Sequence, residues 1–143
     1  MKVCSLRPET ARLLICVSDM PKQTPEDLSE RCFRFTCDVY DYGEDLVRLR
    51  GLPCRVAYQL FDAAGSVGAN RAEAKSAYSN KDFASKNAIC LKEAREALFW
   101  LRVAQAKALG NVHRRNALMK EANELVSIFV TVVRTLQEKN GSR

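Results

Sequence analysis

Histidine is nearly missing from this chain: His113 is the only one in 143 residues. It is followed by Arg114 and Arg115 in what reads as a loop, a poor position for a nucleophile triad. A mixed Cys/His zinc site would also depend on that one imidazole. The six cysteines, Cys4, Cys16, Cys32, Cys37, Cys54 and Cys90, show no CxxC spacing and so neither a zinc nor a redox motif. Cys32 and Cys90 fall among apolar positions, where a reduced thiol packs as a small hydrophobe. No apolar run approaches the ~20 residues of a membrane span. The run at 13–17 is too short for the core of a secretory leader. These absences imply a cytoplasmic protein without cofactor or metal and without a membrane partner.

Other catalytic signatures are missing too. The acids of the first helix, Glu26, Asp27, Glu30, Asp38, Asp41, Glu44 and Asp45, contain no Glu-x-x-His, which argues against a di-iron bundle. Gly65-Ser66-Val67-Gly68 follows no strand and precedes no Gly-Lys-Ser/Thr, so it is not a phosphate loop. Glu93 and Glu96, three apart, could serve as general acid and base, or belong to a charge network. A polar pocket around Asn70, Glu73, Glu93 and Glu96 is the one arrangement that would make an enzyme, and no spacing rule predicts it. The expectation is a non-enzyme.

What is present is helical periodicity. Pro8 and Pro21 interrupt residues 1–24, which read as a flexible N-terminal segment with Met20 as an alternative start. Residues 25–140 read as one bundle domain. Thr24-Pro25-Glu26-Asp27 is a helix start: an oxygen cap, a proline in the first turn and acids at the positive end of the dipole. Leu28, Cys32, Phe35, Val39, Tyr42, Leu46 and Leu49 then recur at steps of three and four, which predicts a helix over 25–50. Gly51-Leu52-Pro53 ends it and opens a second helix over 53–79.

That second helix is poor in bulk: Ala63, Ala64, Gly65, Ser66, Gly68, Ala69, Ala72 and Ala74. Interior glycines cost about 0.8–1.0 kcal/mol each relative to alanine, so a close neighbour is expected. The third helix, 80–109 with Asn80 as its cap, carries the candidate knobs Phe83, Leu91, Leu98, Phe99, Trp100 and Leu101. Its seam reads Ala84, Asn87, Leu91, Ala94, Leu98, Leu101, Gln105 and Ala108. Asn70, a polar residue on an apolar side, is expected to bond a neighbouring helix; a contact role is the other reading. After a connection at 110–115, the last helix runs to about 139. Leu118, Ala122, Leu125, Phe129, Val132 and Leu136 give it one apolar face, and Val126, Val130 and Val133 a second, which points to an oligomer interface. The pattern predicts an all-α, up-down-up-down antiparallel four-helix bundle.

Charge is segregated. The formal net charge is +6, yet residues 25–50 hold four basic and seven acidic side chains, while 80–110 and 111–143 each hold six basic and three acidic. Lys81, Lys92, Arg95 and Arg102 return to nearly one azimuth at 100° per residue, and Lys107 follows them. These five are the candidate nucleic-acid contacts. The competing reading docks the acidic first helix against a neighbouring subunit's basic helix.

Two runs carry a family resemblance. Gln59-Leu60, Ser66-Val67-Gly68-Ala69-Asn70 and Ala72-Glu73-Ala74 form the first. Ser79, Lys81-Asp82-Phe83 and Leu91-Lys92-Glu93-Ala94-Arg95-Glu96 through Trp100-Leu101 form the second. Together they resemble the signatures of the four-helix-bundle family named after the 23S rRNA intervening-sequence protein. The sequence departs at Asp62, where the family often has a basic residue, and at Ala97, usually Thr. The resemblance implies structural motif roles for Gln59, Ser66, Gly68, Asn70, Glu73, Lys81, Asp82, Phe83, Glu93 and Trp100. It also implies a homo-oligomer, a pentamer in characterised relatives. Similar accessory proteins of diversity-generating retroelements engage nucleic acid and a reverse transcriptase. The expected partners are therefore other copies of the chain and RNA or DNA, with a scaffold for another protein as the alternative.

Overall fold

A repeat of three and four residues along each segment gives every helix one stripe to bury, and the computed structural model, which describes residues 27–141, follows it closely. Four helices form: α1 (Leu28–Arg48), α2 (Leu52–Ala74), α3 (Asn80–Ala106) and α4 (Val112–Gly141). Cys32, Phe35, Val39, Tyr42 and Leu46 are buried on α1; Asn87, Cys90, Ala94, Ala97, Leu101 and Ala104 on α3; Leu118, Ala122, Leu125 and Phe129 on α4. Each helix packs on its chain neighbours, α4 also meets α1, and the diagonal pairs do not approach within 8 Å between Cα atoms. Cross-links run antiparallel: Arg31 near the start of α1 meets Glu121 and Glu124, whereas Asp45 near its end meets Arg114 at the start of α4. The fold is the expected all-α up-down-up-down bundle.

The helix ends differ from the sequence reading, each for a local reason. The Thr24 cap and the segment 1–24 lie outside the described residues, and Asp27 is the cap, its carboxylate accepting from the Ser29 amide at 3.1 Å. α2 stops at Ala74 rather than 79. Ser79, not Asn80, caps α3: its Oγ accepts from the Asp82 amide at 3.1 Å, while Asp82 accepts from the Tyr78 amide at 3.3 Å. That is a capping box shifted by one residue. α3 ends at Ala106, where the Leu109 amide reaches Ala104 O (2.9 Å) and the Ala108 amide reaches Gln105 O (3.1 Å). Ala108, at φ 51°, takes the left-handed position that glycine usually fills. α4 starts at Val112 because Asn111 Oδ1 accepts from the His113 and Arg114 amides, both at 3.0 Å. His113 is therefore in a first helical turn and not in a loop.

At Gly68 the smooth run of α2 meets α1. A Cβ on Gly68 would stand 2.8 Å from Thr36 Oγ1, and that hydroxyl bridges Ala64 O (2.8 Å) and Cys32 O (3.0 Å). Glycine lets α1 and α2 come close enough for this bond. Gly68→Ala should therefore lower stability by about 1–2 kcal/mol despite alanine's better propensity, read as a lower urea midpoint with an unchanged m-value. α3 buries mostly small residues, Leu101 being its one large fully buried apolar side chain. Phe99, expected as a knob, is 53% exposed, and Gln105, Ala108 and Leu49 also point outward.

No cysteine pair is bonded among the described residues. Cys4 and Cys16 lie outside them. Burial pushes the Cys32 thiol up to about 12, with Cys90 adding to it, and burial lifts Cys90 to about 11. The folded state holds these protons more tightly than the unfolded chain. Their contribution is thus complete below pH 9.0, the ordinary thiol value, and is lost as pH rises through about 11 to 12. Tyr42 shifts in the same direction, mainly through burial. At pH 8 both thiols should alkylate at least about a hundredfold more slowly in the native protein than in guanidinium, checked by peptide mass spectrometry.

Candidate nucleic-acid interface

The heptad that buries one side of α3 leaves the opposite side to solvent, and the basic residues are there. Lys81, Lys92, Arg95 and Arg102 are all exposed, within a sector centred opposite the Cys90–Ala97–Ala104 seam. They extend over 21 residues, about 32 Å of helix. None makes an ion pair or side-chain hydrogen bond among the described residues. Lys107 is exposed too, but it is the C-cap of α3 and sits about 140° round from Arg102. It belongs to the end of the bundle and not to the stripe.

Pairing with the acids of α1 is excluded within one chain, since α1 and α3 are diagonal. Two of those acids have nearer partners. Asp45 meets Arg114 at 3.3 Å and Arg48 at 3.8 Å, and Asp27 bonds Lys75, which holds its carboxyl below the usual range. Arg31 is clamped by Glu121 (2.6 and 2.9 Å) and Glu124 (2.5 Å) across the α1–α4 groove. That groove, about 810 Å³ with Asp38, Asp41 and Arg114 on its walls, is the loosest seam of the bundle. Desolvation, then Asp41, raises the Asp38 carboxyl.

The structure adds an aromatic to the stripe. Phe99 lies five full helical turns from Lys81, on its azimuth between Arg95 and Arg102, with its edge against Trp100 at 5.1 Å between centroids. The sequence signal was present, since Phe99 is out of phase with the Ala94-Ala97-Leu101 seam.

The motif residues are distributed between structural tasks and the α2–α3 flank. Gly68 admits Thr36, and Asp82 closes the cap of α3. Phe83 is half-buried under the Arg71 guanidinium, 5.8 Å from the ring centroid. Arg71 also donates to Asn87 Oδ1 at 3.0 Å, and Asn87 donates to Phe83 O at 2.7 Å. Arg71 was not singled out by sequence. Asn70 bonds Ser66 O of its own helix at 2.9 Å and not a neighbouring helix. Glu73 pairs with Lys86 across the α2–α3 seam, which raises the Lys86 pKa. Gln59 is exposed; Ser66, Glu93 and Trp100 are half-buried, and Trp100 Nε1 lies 3.5 Å from Glu96 Oε1. Asn70, Glu73 and Glu96 each have a separate partner. On α4, Val126 packs on the chain's own core, Val133 is half-buried and Val130 is 39% exposed. Among the described residues no three His, Cys, Asp or Glu could hold a metal ion, and no helix is long and apolar enough to cross a membrane.

No curated protein matches the chain. A crystal structure of a protein with unknown function from the S23 ribosomal protein family of Bacteroides thetaiotaomicron VPI-5482 superposes with a TM-score of 0.68. The two share 22% identity over 75% of this chain and 98% of that one, a likeness of fold. The sequence pattern described as 23S rRNA-intervening sequence protein matches residues 27–131, which hold both signature runs and most of the four helices. The chain belongs to the 23S rRNA-intervening sequence protein family.

Proposed function

We propose that this protein is a non-enzymatic, cytoplasmic homo-oligomer that binds RNA or DNA backbone through the outer face of α3. The observation that carries the reading is that Lys81, Lys92, Arg95 and Arg102 are exposed along one stripe and, among the described residues, have no ion-pair partner. A cation paired inside the fold gains little from a phosphate; an exposed one releases counterions from the nucleic acid when it binds. Backbone contacts position without reading sequence, and Phe99 offers one face for an unpaired base to stack on. Repetition of the stripe around an assembly would multiply weak contacts. The resemblance to pentameric relatives supports that assembly.

The test is a binding panel of single-stranded RNA, structured RNA and duplex DNA against wild type and Phe99→Ala. Binding of all three by wild type, with Phe99→Ala weakening single strands more than duplex, is the expected result. An absence of binding at low salt by intact protein would favour the scaffold reading, in which the charge serves assembly.

A further inference from the structure

The outside of α1 and α2 keeps an apolar surface that nothing among the described residues covers. Phe33, Tyr40 and Tyr58 are 59%, 54% and 61% exposed there, and Phe61 meets Tyr40 edge-on at 5.7 Å between centroids. Phe33, Tyr40 and Val47 follow one another at steps of seven residues, so they form one row along α1. Tyr40, Val47, Ala57, Tyr58 and Phe61 line a hollow of about 370 Å³ beside that row. Gly65, seven residues after Tyr58, has nothing within 4 Å of where a Cβ would stand. Exposed aromatics gathered in this way mark a contact surface.

The hollow selects neither sign of charge, because its lining holds one acid, Glu44, and one base, Arg48. An uncharged occupant fits it, and the chain contains one. Leu13-Leu14-Ile15-Cys16-Val17 is five consecutive apolar residues, and no other such run lies outside the four helices. Val17 is ten residues before Asp27, a reach of at most about 36 Å. Tyr40 lies about 18 Å along α1 from Leu28, and Val47 about 29 Å. The aromatic row begins at the end of α1 that the chain enters, so every part of it is within reach of the run. We propose that residues 13–17 cover the α1–α2 aromatic surface of their own chain, over Phe33, Tyr40 and Phe61. The matched family pattern starts at residue 27, so this occupant lies outside it. A tether this short gives the run an effective concentration on the order of millimolar, well ahead of a second copy at micromolar protein. Two thiols report on the contact. Cys16 is in the run, and Cys37, exposed on α1, stands between Phe33 and Tyr40 on the same face.

The experiment uses the full chain at about 1 µM and about 50 µM and follows iodoacetamide labelling of each cysteine by peptide mass spectrometry. Wild type is compared with Leu14→Ser/Ile15→Ser and with Phe33→Gln/Tyr40→Gln, neutral changes that leave the charge near both thiols as it is. Phe33 and Tyr40 are exposed, so circular dichroism of the second variant should match wild type. The expected result is reciprocal. Cys37 labels about tenfold faster in the first variant and Cys16 about tenfold faster in the second, a factor set by the fraction of time the contact is open. A wild-type Cys16 that labels as fast in the native protein as in guanidinium overturns the proposal. So does either thiol that is indifferent to the variant on the opposite side, since the run is then seated elsewhere. Shielding present at about 50 µM and lost at about 1 µM assigns the surface to a second copy and overturns the same-chain seat.

Discussion

Gly110→Ala should destabilise the fold by about 3–5 kcal/mol, the sum of a left-handed backbone penalty and an overpacked contact. Gly110 sits at φ 63°, and an added Cβ would stand 2.8 Å from Tyr42 Cε2 and 2.9 Å from Leu46 Cδ2. Neither neighbour can yield easily. Tyr42 is fully buried and its hydroxyl donates to Leu109 O at 2.8 Å; Leu46 is fully buried beside it. Arg115, itself buried, donates to the same Leu109 carbonyl at 2.6 Å, so the α3–α4 turn is anchored from two sides. The expected fall in Tm is about 10–15 °C in calorimetry, using the entropy of a chain of this size. Ala108→Gly, two residues earlier, should move the other way by about 0.5–1 kcal/mol, because Ala108 holds a left-handed φ of 51°. Opposite signs at two positions of one turn would separate backbone strain from general disruption.

Asn87→Ala should cost about 2–4 kcal/mol in urea unfolding, more than the loss of one neutral hydrogen bond. Asn87 is fully buried on α3, and its amide is satisfied at both ends, by Arg71 from α2 and by Phe83 O. Removing it strips a guanidinium whose Nε already has no hydrogen-bond partner among the described residues. The Phe83 ring remains under Arg71, but a cation–π contact replaces only part of a charged hydrogen bond. Asn87→Gln should recover little, since the longer amide cannot reach both partners from one rotamer. The α2–α3 seam is thus held by a polar clip beside an otherwise small-residue interface.

Periodicity was a good guide wherever one stripe had one place to go. The steps from Cys32 to Leu46 placed the core of α1, and those from Leu118 to Phe129 the core of α4. It was weaker where two polar residues compete for one cap. Ser79 and Asn80 both suit a cap, and the deciding signal was Asp82 three residues after Ser79. Asn111 was read as part of the connection at 110–115 although it caps α4. Glycine in α2 announced close approach but not its direction, because azimuth relative to α1 or α3 depends on packing. The aromatics carried the same ambiguity. Phe33 and Tyr40 are out of step with Phe35 and Tyr42 and could have been placed outside; Phe99 likewise. Whether Val126 and Val130 serve this chain or another was beyond a spacing rule, since a ridge beside the core looks the same in both cases. The stripe on α3 was legible because charge placed opposite a seam needs only the 100° rotation.

The central claim is that these exposed cations meet phosphate. Its most direct measurement is the salt dependence of nucleic-acid affinity for wild type and for the combined Lys92→Ala, Arg95→Ala, Arg102→Ala protein, with light scattering to show that the assembly is unchanged. The account predicts a steep fall of log Kd-derived affinity with log salt in wild type, and a slope reduced by about 2–3 in the variant. A variant that binds with the same slope as wild type would contradict it and locate the binding charge elsewhere.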